Sequence, residues 1–486
     1  MKIKISYSAV FKILGWLLLV EAAIMLIPFA VNIFEGEKVI GFILGIGCAG
    51  ISGILLTWRC RFDRVHIGRR EGFMLVSLAW IVFSLFGMLP FMFCNTPLSL
   101  SDAFFETISG FTTTGATTIS DVEVLSKGIL LWRAMTQWIG GLGIILFLLA
   151  ILPSLNDRGG IPMYNAEVTG ITHDKLHPRI RYTAMSLWLI YLMVTILMIV
   201  LLWVGPMDFF DAVCQSLTTI STGGFSTRNS SIAWWNSDYT SIVITVFMFI
   251  GGINFSLIYA ARKGNVASLL RNDVFRAYCL IVFVAYAATA ISMAFHGEIS
   301  DFHDAFTAPL FHIVSSITTT GFTLDDFSAW GQFVLLVTML VMLSGACAGS
   351  TTGAIKVDRL VALRHNLGNE IKRSINPRRV YIVRVNGNVL PTADLSRVTA
   401  FVTIYCILVL LGALAVSAFG YNLVDSFFAV ISCLGNNGLG YGITGSAGGF
   451  HLLPDFLKWL LSLFMLIGRL ELFSILVMLY PYFWRK

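Results

Sequence analysis

Four short polar strips stand out in a chain that is otherwise apolar. They read Thr112-Thr113-Thr114-Gly115, Ile220-Ser221-Thr222-Gly223, Thr318-Thr319-Thr320-Gly321 and Gly435-Asn436-Asn437-Gly438. The ligand atoms they offer are oxygens: backbone carbonyls, hydroxyls and side-chain amide oxygens. Oxygen ligands suit hard alkali cations rather than soft transition metals. Glycine opens backbone angles closed to other residues, which lets successive carbonyls turn toward one axis. Four such strips around an axis are able to replace the hydration shell of an alkali cation such as potassium. The hydroxyls of Thr113, Ser221 and Thr319 are expected to add ligands.

Such strips need elements to hold them. Each follows a segment that opens with an aspartate and a small residue: Asp102-Ala103, Asp211-Ala212, Asp304-Ala305 and Asp425-Ser426. About ten apolar or small residues follow, too few to cross the roughly 30 Å of a bilayer core. Each segment reads as a re-entrant half-helix with its aspartate at the N-cap. Its C-terminal end then points toward mid-membrane, where the helix dipole favours a cation. Counted from Asp304, the third of these helices is longer than the others, so its start is expected later. The glycines at the strip ends, 115, 223, 321 and 438, are separated by 108, 98 and 117 residues. That is an internal repeat of a size that holds two spans and a loop. Non-helical backbone is tolerated at membrane depth where it lines a watery cavity or is buried in protein.

The rest of the chain supports that setting. Of its 486 residues, 57% are hydrophobic and 12% charged, half the roughly 25% charge of a soluble domain. Long apolar runs, Ser8–Phe34, Val39–Trp58, Phe73–Phe93 and Ser462–Trp484 among them, are of spanning length. The first run exceeds a signal-peptide core and is expected to stay in the membrane, with Lys2 and Lys4 in the cytoplasm. Basic residues gather in some connectors: Arg59, Arg61, Arg64, Arg69 and Arg70; Lys175, Arg179 and Arg181; Arg262, Lys263, Arg271 and Arg276; and Lys356 to Arg384. Acidic residues hold the others, including Glu35, Glu37, Asp121, Glu123, Asp208, Glu298, Asp301, Asp325 and Asp326. The positive-inside rule puts the basic set in the cytoplasm and accounts for it without nucleic acid.

The expected fold is an all-α polytopic membrane protein of about ten spanning helices, both termini cytoplasmic. A helix hairpin near 8–34 and 39–58 comes first. Four helix–pore-loop–helix repeats around one pseudo-fourfold pore follow. Outgoing helices are expected near 72–94, 183–204, 277–295 and 398–419, and returning helices near 127–152, 239–262, 331–355 and 455–484. The units are 1–70 (hairpin and basic connector), 71–182, 183–276, 277–397 and 398–486.

At this point the chain resembles the Trk/Ktr/HKT superfamily of potassium transporters. Trp132-Arg-Ala-Met-Thr-Gln-Trp-Ile-Gly-Gly-Leu-Gly143 resembles its first returning helix, Gly345-Ala-Cys-Ala-Gly-Ser-Thr-Thr-Gly-Ala-Ile-Lys356 its third, and Gly468-Arg469-Leu470-Glu471 its fourth. The N-terminal hairpin and the length match the bacterial Trk branch better than the shorter Ktr type. The resemblance covers essentially the whole chain. It implies potassium uptake across a bacterial inner membrane, with potassium as cargo and no organic cofactor; a membrane enzyme is disfavoured by the residues themselves, which show no nucleophile–base arrangement and concentrate their polar groups in four equivalent strips. It also implies a homodimer with one pore per subunit, and cytosolic TrkA-like nucleotide-binding regulatory subunits. The fourth strip departs from the others by carrying Asn436 and Asn437.

Small residues and helix breakers interrupt the third returning helix from Ser344 to Gly353. In the family this stretch is an intramembrane loop that blocks the pore. Gly345, Gly349 and Gly353 are expected as hinges, with Ser350 among the gate residues; close helix packing through small residues is the alternative. Arg469, mid-helix in the last span, needs a partner or water. By resemblance it faces the ion path below the strips; the alternative is a structural pair with Glu471 or another carboxylate. Arg133 is expected to pack on a pore helix near the outer interface. Glu21 reads as a locally satisfied polar group, and His312 as a packed residue.

Other patterns carry less. Gly45-Ile-Gly-Cys-Ala-Gly50 matches a dinucleotide fingerprint by letters but lies inside a spanning run. The eight cysteines, none in a C-x-x-C pair, suggest neither zinc nor a disulfide framework. His173 and His177 are four apart, but beside Pro178. A symporter coupled to protons or sodium is the alternative to a channel. It would need a second ion site and alternating access, which inverted repeats would support.

Overall fold

A computed structural model describes residues 6–60, 68–144, 180–297, 303–445 and 449–484. The first helices are α1 (Tyr7–Phe34), α2 (Ile40–Arg59) and α3 (Arg69–Gly87). Next come α4 (Leu100–Phe111), α5 (Lys127–Leu142), α6 (Ile180–Val204), α7 (Phe209–Ile220), α8 (Asp238–Gly251) and α9 (Phe255–Arg262). They are followed by α10 (Asp273–His296), α11 (Ala308–Ile317), α12 (Gln332–Ser344), α13 (Val357–Ile375) and α14 (Thr392–Ser417). The last are α15 (Leu423–Leu434), α16 (Asp455–Arg469) and α17 (Phe473–Leu479). A two-residue antiparallel ladder, Arg384 opposite Val389, lies between α13 and α14.

Among the described residues, 6 helices are long and apolar enough to cross a bilayer: Tyr7–Phe34, Ile40–Arg59, Arg70–Met92, Tyr182–Val204, Asp273–His296 and Thr392–Ser417. The expected hairpin and outgoing helices fall on these. Two of the returning helices, read from sequence as continuous, are broken, and the third is interrupted at Ser344 as expected. The α8–α9 pair bends by 100° and the α16–α17 pair by 113°. The third stops at Ser344. The first is helical to Leu142, and its expected continuation to 152 lies outside the described residues beyond Ile144. Counting each bent pair as one span gives up to 8, against the ten expected. The breaks have a local cause: glycine stands at or beside each one, at Gly143, Gly251-Gly252, Gly345 and Gly468, where backbone can turn or neighbours can approach closely.

The hairpin is more than an appendage. α1 and α2 touch through Gly15 and Gly53; a Cβ on Gly53 would stand 2.9 Å from Gly15 O. Small residues let helices pack this tightly in a membrane. Buried Asn32 of α1 accepts from the Gly128 N–H at 2.7 Å and donates to Lys38 O at 2.9 Å. It thereby satisfies one of the free N–H groups at the start of α5.

The short helices α4, α7, α11 and α15 have 12, 12, 10 and 12 residues. Their caps correct the expected role of the aspartates. Ser99 caps α4 and accepts from Asp102 N–H, and Asp208 caps α7 and accepts from Asp211 N–H. Asn422 stands at the N-cap of α15. Asp102, Asp211 and Asp425 therefore sit three residues inside the helix, still in the first turn where the dipole favours a carboxylate. The third helix follows a π-helical turn at His303–Thr307, and its α-helix begins at Ala308 beside Pro309, later than Asp304, as expected. The side chain of Asp304 lies outside the described residues, as do Lys2, Lys4, Arg61, Arg64, Lys175, Arg179, Glu298, Asp301 and the His173–Pro178 stretch.

Candidate functional site

After each short helix the backbone repeats the same course. Thr113, Thr222, Thr319 and Asn436 all take left-handed angles, with φ of 55°, 52°, 52° and 53°. Two residues later Gly115, Gly224, Gly321 and Gly438 do so again, at 83°, 83°, 78° and 74°. The residue between them donates its N–H five residues back: Thr114 to Ser109 O (2.8 Å), Gly223 to Thr218 O (2.8 Å), Thr320 to Ser315 O (2.9 Å) and Asn437 to Ser432 O (2.8 Å). Threonine is β-branched and left-handed angles are unusual for it. Such backbone persists where the surroundings over-determine it, and it concentrates at ligand clamps.

This register corrects the second strip. It is Ser221-Thr222-Gly223-Gly224, one residue later than expected, and Ile220 is the last residue of α7. The left-handed glycines 115, 224, 321 and 438 are spaced by 109, 97 and 117. A signal was present in the residues: Phe225 follows Gly224 as Phe322 follows Gly321.

The four glycines also report how the strips sit together. A Cβ on Gly115 would overlap Gly223 O, one on Gly224 would overlap Thr320 O, one on Gly321 Asn437 O, and one on Gly438 Thr114 O. The contacts run from strip one to two, two to three, three to four, and four back to one. The strips therefore form a closed ring in chain order.

Side chains brace this ring. The Gln137 amide of α5 donates to Gly223 O at 2.7 Å and accepts from Phe225 N–H at 3.1 Å. In the other three strips a serine does similar work: Ser109, Ser315 and Ser432 donate to Ala116 O, Phe322 O and Leu439 O at 2.6, 2.8 and 2.8 Å. Asn436 Nδ2 donates to Thr114 Oγ1 (3.0 Å) and Met465 O (2.8 Å), and Asn437 Nδ2 to Ser316 O (2.6 Å). Thr112 pairs with Thr114, and Thr318 with Thr320, at 2.8 Å. The Ser221 hydroxyl lies 2.8 Å from Leu217 O in its own helix, and Thr222 takes the position expected of it.

On the far side of α4, buried Arg133 meets buried Glu106 at 2.8 Å, donates to Ser226 O at 3.0 Å and lies 4.1 Å from the Phe225 ring centroid. Glu106 also accepts from Thr118 N–H at 3.0 Å. Arg133 does pack on a short helix as expected, and it ties the segment after strip one to that after strip two. Removing one partner of a buried pair leaves an uncompensated charge, which costs roughly 3–5 kcal/mol. Arg133→Met is therefore expected to lower the unfolding midpoint of detergent-solubilised protein by several degrees. Arg133→Met with Glu106→Leu should recover much of the loss, read in one thermal double-mutant cycle.

Beneath the ring lies the loop that leaves α12. Gly345, Gly349, Ala354 and Lys356 take φ of 62°, 74°, 61° and 73°, so the chain turns repeatedly. Thr351 Oγ1 stands 3.1 Å from Thr222 Oγ1. Gly353 N–H donates to Thr319 Oγ1 at 3.0 Å, and a Cβ on Gly353 would overlap Gly435 O. Of the expected gate residues, Gly353 touches the ring. Gly345 sits where α12 ends, Gly349 O accepts from Phe255 N–H, and Ser350 bonds within the loop to Cys347 O.

Arg469 joins these parts. Its guanidinium donates to Thr351 O (2.6 Å), Thr113 Oγ1 (3.3 Å), Gly140 O (2.5 Å) and Gly141 O (2.7 Å). The carboxylate proposed as its alternative partner is engaged elsewhere. Glu471 binds Lys356 Nζ at 3.0 Å and the Arg359 guanidinium, tying the end of the loop to the break after α16. Gln137, Glu106 and Thr351 were given no role from sequence, because their partners lie far along the chain; Lys356 and Arg359, read there as part of a basic cytoplasmic connector, are buried partners of Glu471.

Two further expectations are settled here. His312 is buried, 2.8 Å from Thr338 Oγ1 and packed against Phe327 and Trp330, as expected of a packed residue. Glu21 is buried beside Gly87, and neither carboxyl oxygen has a hydrogen-bond partner among the described residues, against the expectation of local satisfaction. The reason is its apolar setting on α1.

Comparison with known proteins places the chain among transport proteins of one family. Residues 42–484 match the family model TrkH, described as a cation transport protein. The chain is 36% identical over 484 residues to the Trk system potassium uptake protein TrkH of Escherichia coli (strain K12), covering 99% of this chain and 100% of that one. It is 32% identical to the Trk system potassium uptake protein TrkG of the same strain, covering 97% of each. The crystal structure of the potassium transporter TrkH from Vibrio parahaemolyticus superposes with a TM-score of 0.88 at 33% identity, covering 99% of this chain and 100% of that one.

Proposed function

The chain belongs to the TrkH family of cation transport proteins, and from that premise we propose that it takes up potassium through a pore on the axis of its four-strip ring. The closed ring of glycine–carbonyl contacts carries this reading. A ring of short non-helical strips, each fed by a half-length helix, offers backbone and side-chain oxygens around one axis and directs helix C-termini toward it. The relatives named as potassium uptake proteins support the choice of ion.

The loop beneath the ring is the gate, held closed by its contacts to Thr222, Thr319 and Arg469. The guanidinium, set among carbonyls under the strips, repels cations from the path until the loop moves. In this reading the protein is the pore-forming subunit of a Trk-type system in a bacterial inner membrane, with both termini cytoplasmic. It works as a homodimer and answers to cytosolic nucleotide-binding regulatory subunits that act on the loop. The basic connector from Lys356 to Arg397 is the docking segment.

One observation favours a second reading, proton-coupled symport: Glu21 is an intramembrane carboxyl without a partner among the described residues. Against it, the four strips repeat one register in chain order rather than in inverted pairs.

Flux into liposomes tests both. Downhill potassium and rubidium entry faster than sodium and lithium, with no other gradient applied, is the expected result. Flux that appears only with an imposed proton or sodium gradient would favour symport.

A further inference from the structure

The second strip lacks two side chains that its counterparts carry. Where Ser109, Ser315 and Ser432 brace the other strips, it has Thr218, whose hydroxyl turns back to Cys214 O and Gln215 O at 3.1 Å. Where Thr114, Thr320 and Asn437 stand, it has Gly223, with no side chain at all. In strips one and three that side chain pairs with the hydroxyl two residues earlier, Thr114 with Thr112 and Thr320 with Thr318, both at 2.8 Å. Strip two keeps the earlier hydroxyl. Ser221 Oγ donates to Leu217 O at 2.8 Å, as Thr112 and Thr318 donate to Ile108 O and Val314 O at 2.6 Å.

The vacant place is filled from another unit. A Cβ on Gly223 would overlap the side-chain amide of Gln137, on the returning helix of the first unit. Gln137 is fully buried, and both ends of its amide are used: Nε2 donates to Gly223 O at 2.7 Å and Oε1 accepts from Phe225 N–H at 3.1 Å. A carbonyl on one side and an N–H on the other fix which end of the amide faces which. Arg133, one turn earlier on the same face of α5, donates to Ser226 O at 3.0 Å. Gly223 O is also the carbonyl that lies against Gly115, at the seam between strips one and two. Any turn of that peptide therefore disturbs two strips. Discrimination between alkali cations depends on the number and placement of such carbonyl dipoles.

We propose that Gln137 is a specificity-determining positioning residue of the transport path. It supplies to strip two the side chain that strip lacks, and by holding the Gly223 carbonyl it sets the preference for potassium over sodium at the seam. The inference rests on reading the ring as the ion path. Gln137 touches no ion in this account and acts through Gly223 alone.

The test is the ratio of sodium to potassium concentrations that halve rubidium uptake into vesicles holding the full chain. In Gln137→Ala the ratio should fall about fivefold, the equivalent of one lost hydrogen bond. Gly223→Thr alone should lose uptake, because the introduced Cβ overlaps Gln137. The double variant Gln137→Ala with Gly223→Thr should regain uptake and most of the ratio. Its introduced hydroxyl can pair with Ser221 as Thr114 pairs with Thr112, and Gly223 is not among the glycines with left-handed angles. Gln137→Met keeps the length without the amide and should lower the ratio as alanine does, so the test survives if Gln137→Ala does not fold. An unchanged ratio in the folded single variants overturns the inference, even with a lowered thermal midpoint, since a merely structural brace would move stability and not selectivity. A double variant no more selective than Gln137→Ala also overturns it. Native protein that takes up no rubidium defeats the ion-path reading itself, and the inference with it.

Discussion

Gly224→Ala is expected to abolish rubidium uptake in reconstituted vesicles, whereas Gly223→Ala should leave a measurable fraction of it. Both residues lie in the second strip, and their environments differ. Gly224 has φ of 83° and its Cβ would overlap the backbone oxygen of Thr320 in the next strip. The left-handed angle costs an alanine roughly 1–2 kcal/mol, and forcing atoms into a packed site typically adds about 1–3 kcal/mol. At about 1.4 kcal/mol per tenfold, the ring would hold its geometry about 30-fold to more than 1,000-fold less often.

A Cβ on Gly223 meets the side-chain amide of Gln137, which can shift at the expense of its hydrogen bonds. Each such bond is worth about 1 kcal/mol net, so a loss of about tenfold is expected. Equal uptake by the two variants, at matched reconstitution and elution profile, would refute the register of strip two. A greater loss in Gly223→Ala would do the same.

Arg469→Ala is expected to raise basal flux and to weaken discrimination against sodium. The side chain holds four oxygens from three elements at once: the loop, strip one and the end of α5. Hydrogen bonds from a charged donor contribute roughly 1.5–3 kcal/mol. Losing the bond to Thr351 O alone should shift the closed-to-open ratio by about ten- to a hundredfold. The lost positive charge also removes a barrier to cations beneath the ring. Arg469→Lys should behave more like alanine than like the native residue, because one ammonium cannot reproduce a planar fork reaching several carbonyls. Uptake unchanged in Arg469→Ala, with sodium still excluded, would show that neither the pin nor the charge limits flux.

Much of this protein was legible in its residues. The apolar runs marked the spans, since crossing a bilayer demands a length and polarity that few other structures need. The recurring aspartate, short apolar segment and glycine marked the four units. Details failed where letters look alike. Gly223 and Gly224 are adjacent glycines, and only the φ values separate the one that turns. Asp102 and Asp211 stood out by recurrence, yet Ser99 and Asp208, three residues earlier, cap the helices. The second and fourth returning helices read as continuous because apolar composition does not report a bend of 100° or 113°.

By itself the sequence determined that this is a multi-span helical chain with four polar strips, because hydropathy and recurrence are local properties that survive without coordinates. The tertiary structure decided what the strips do to one another. Thr351 meets Thr222 from 129 residues away, Arg469 reaches Thr113 across 356, and Arg359 meets Glu471 across 112. Each glycine lies against a carbonyl of the next unit. Contacts of that range depend on how helices pack. No periodicity in the residues encodes which hydroxyl will face which loop, so the ring and the loop packed beneath it emerge only when the chain is folded.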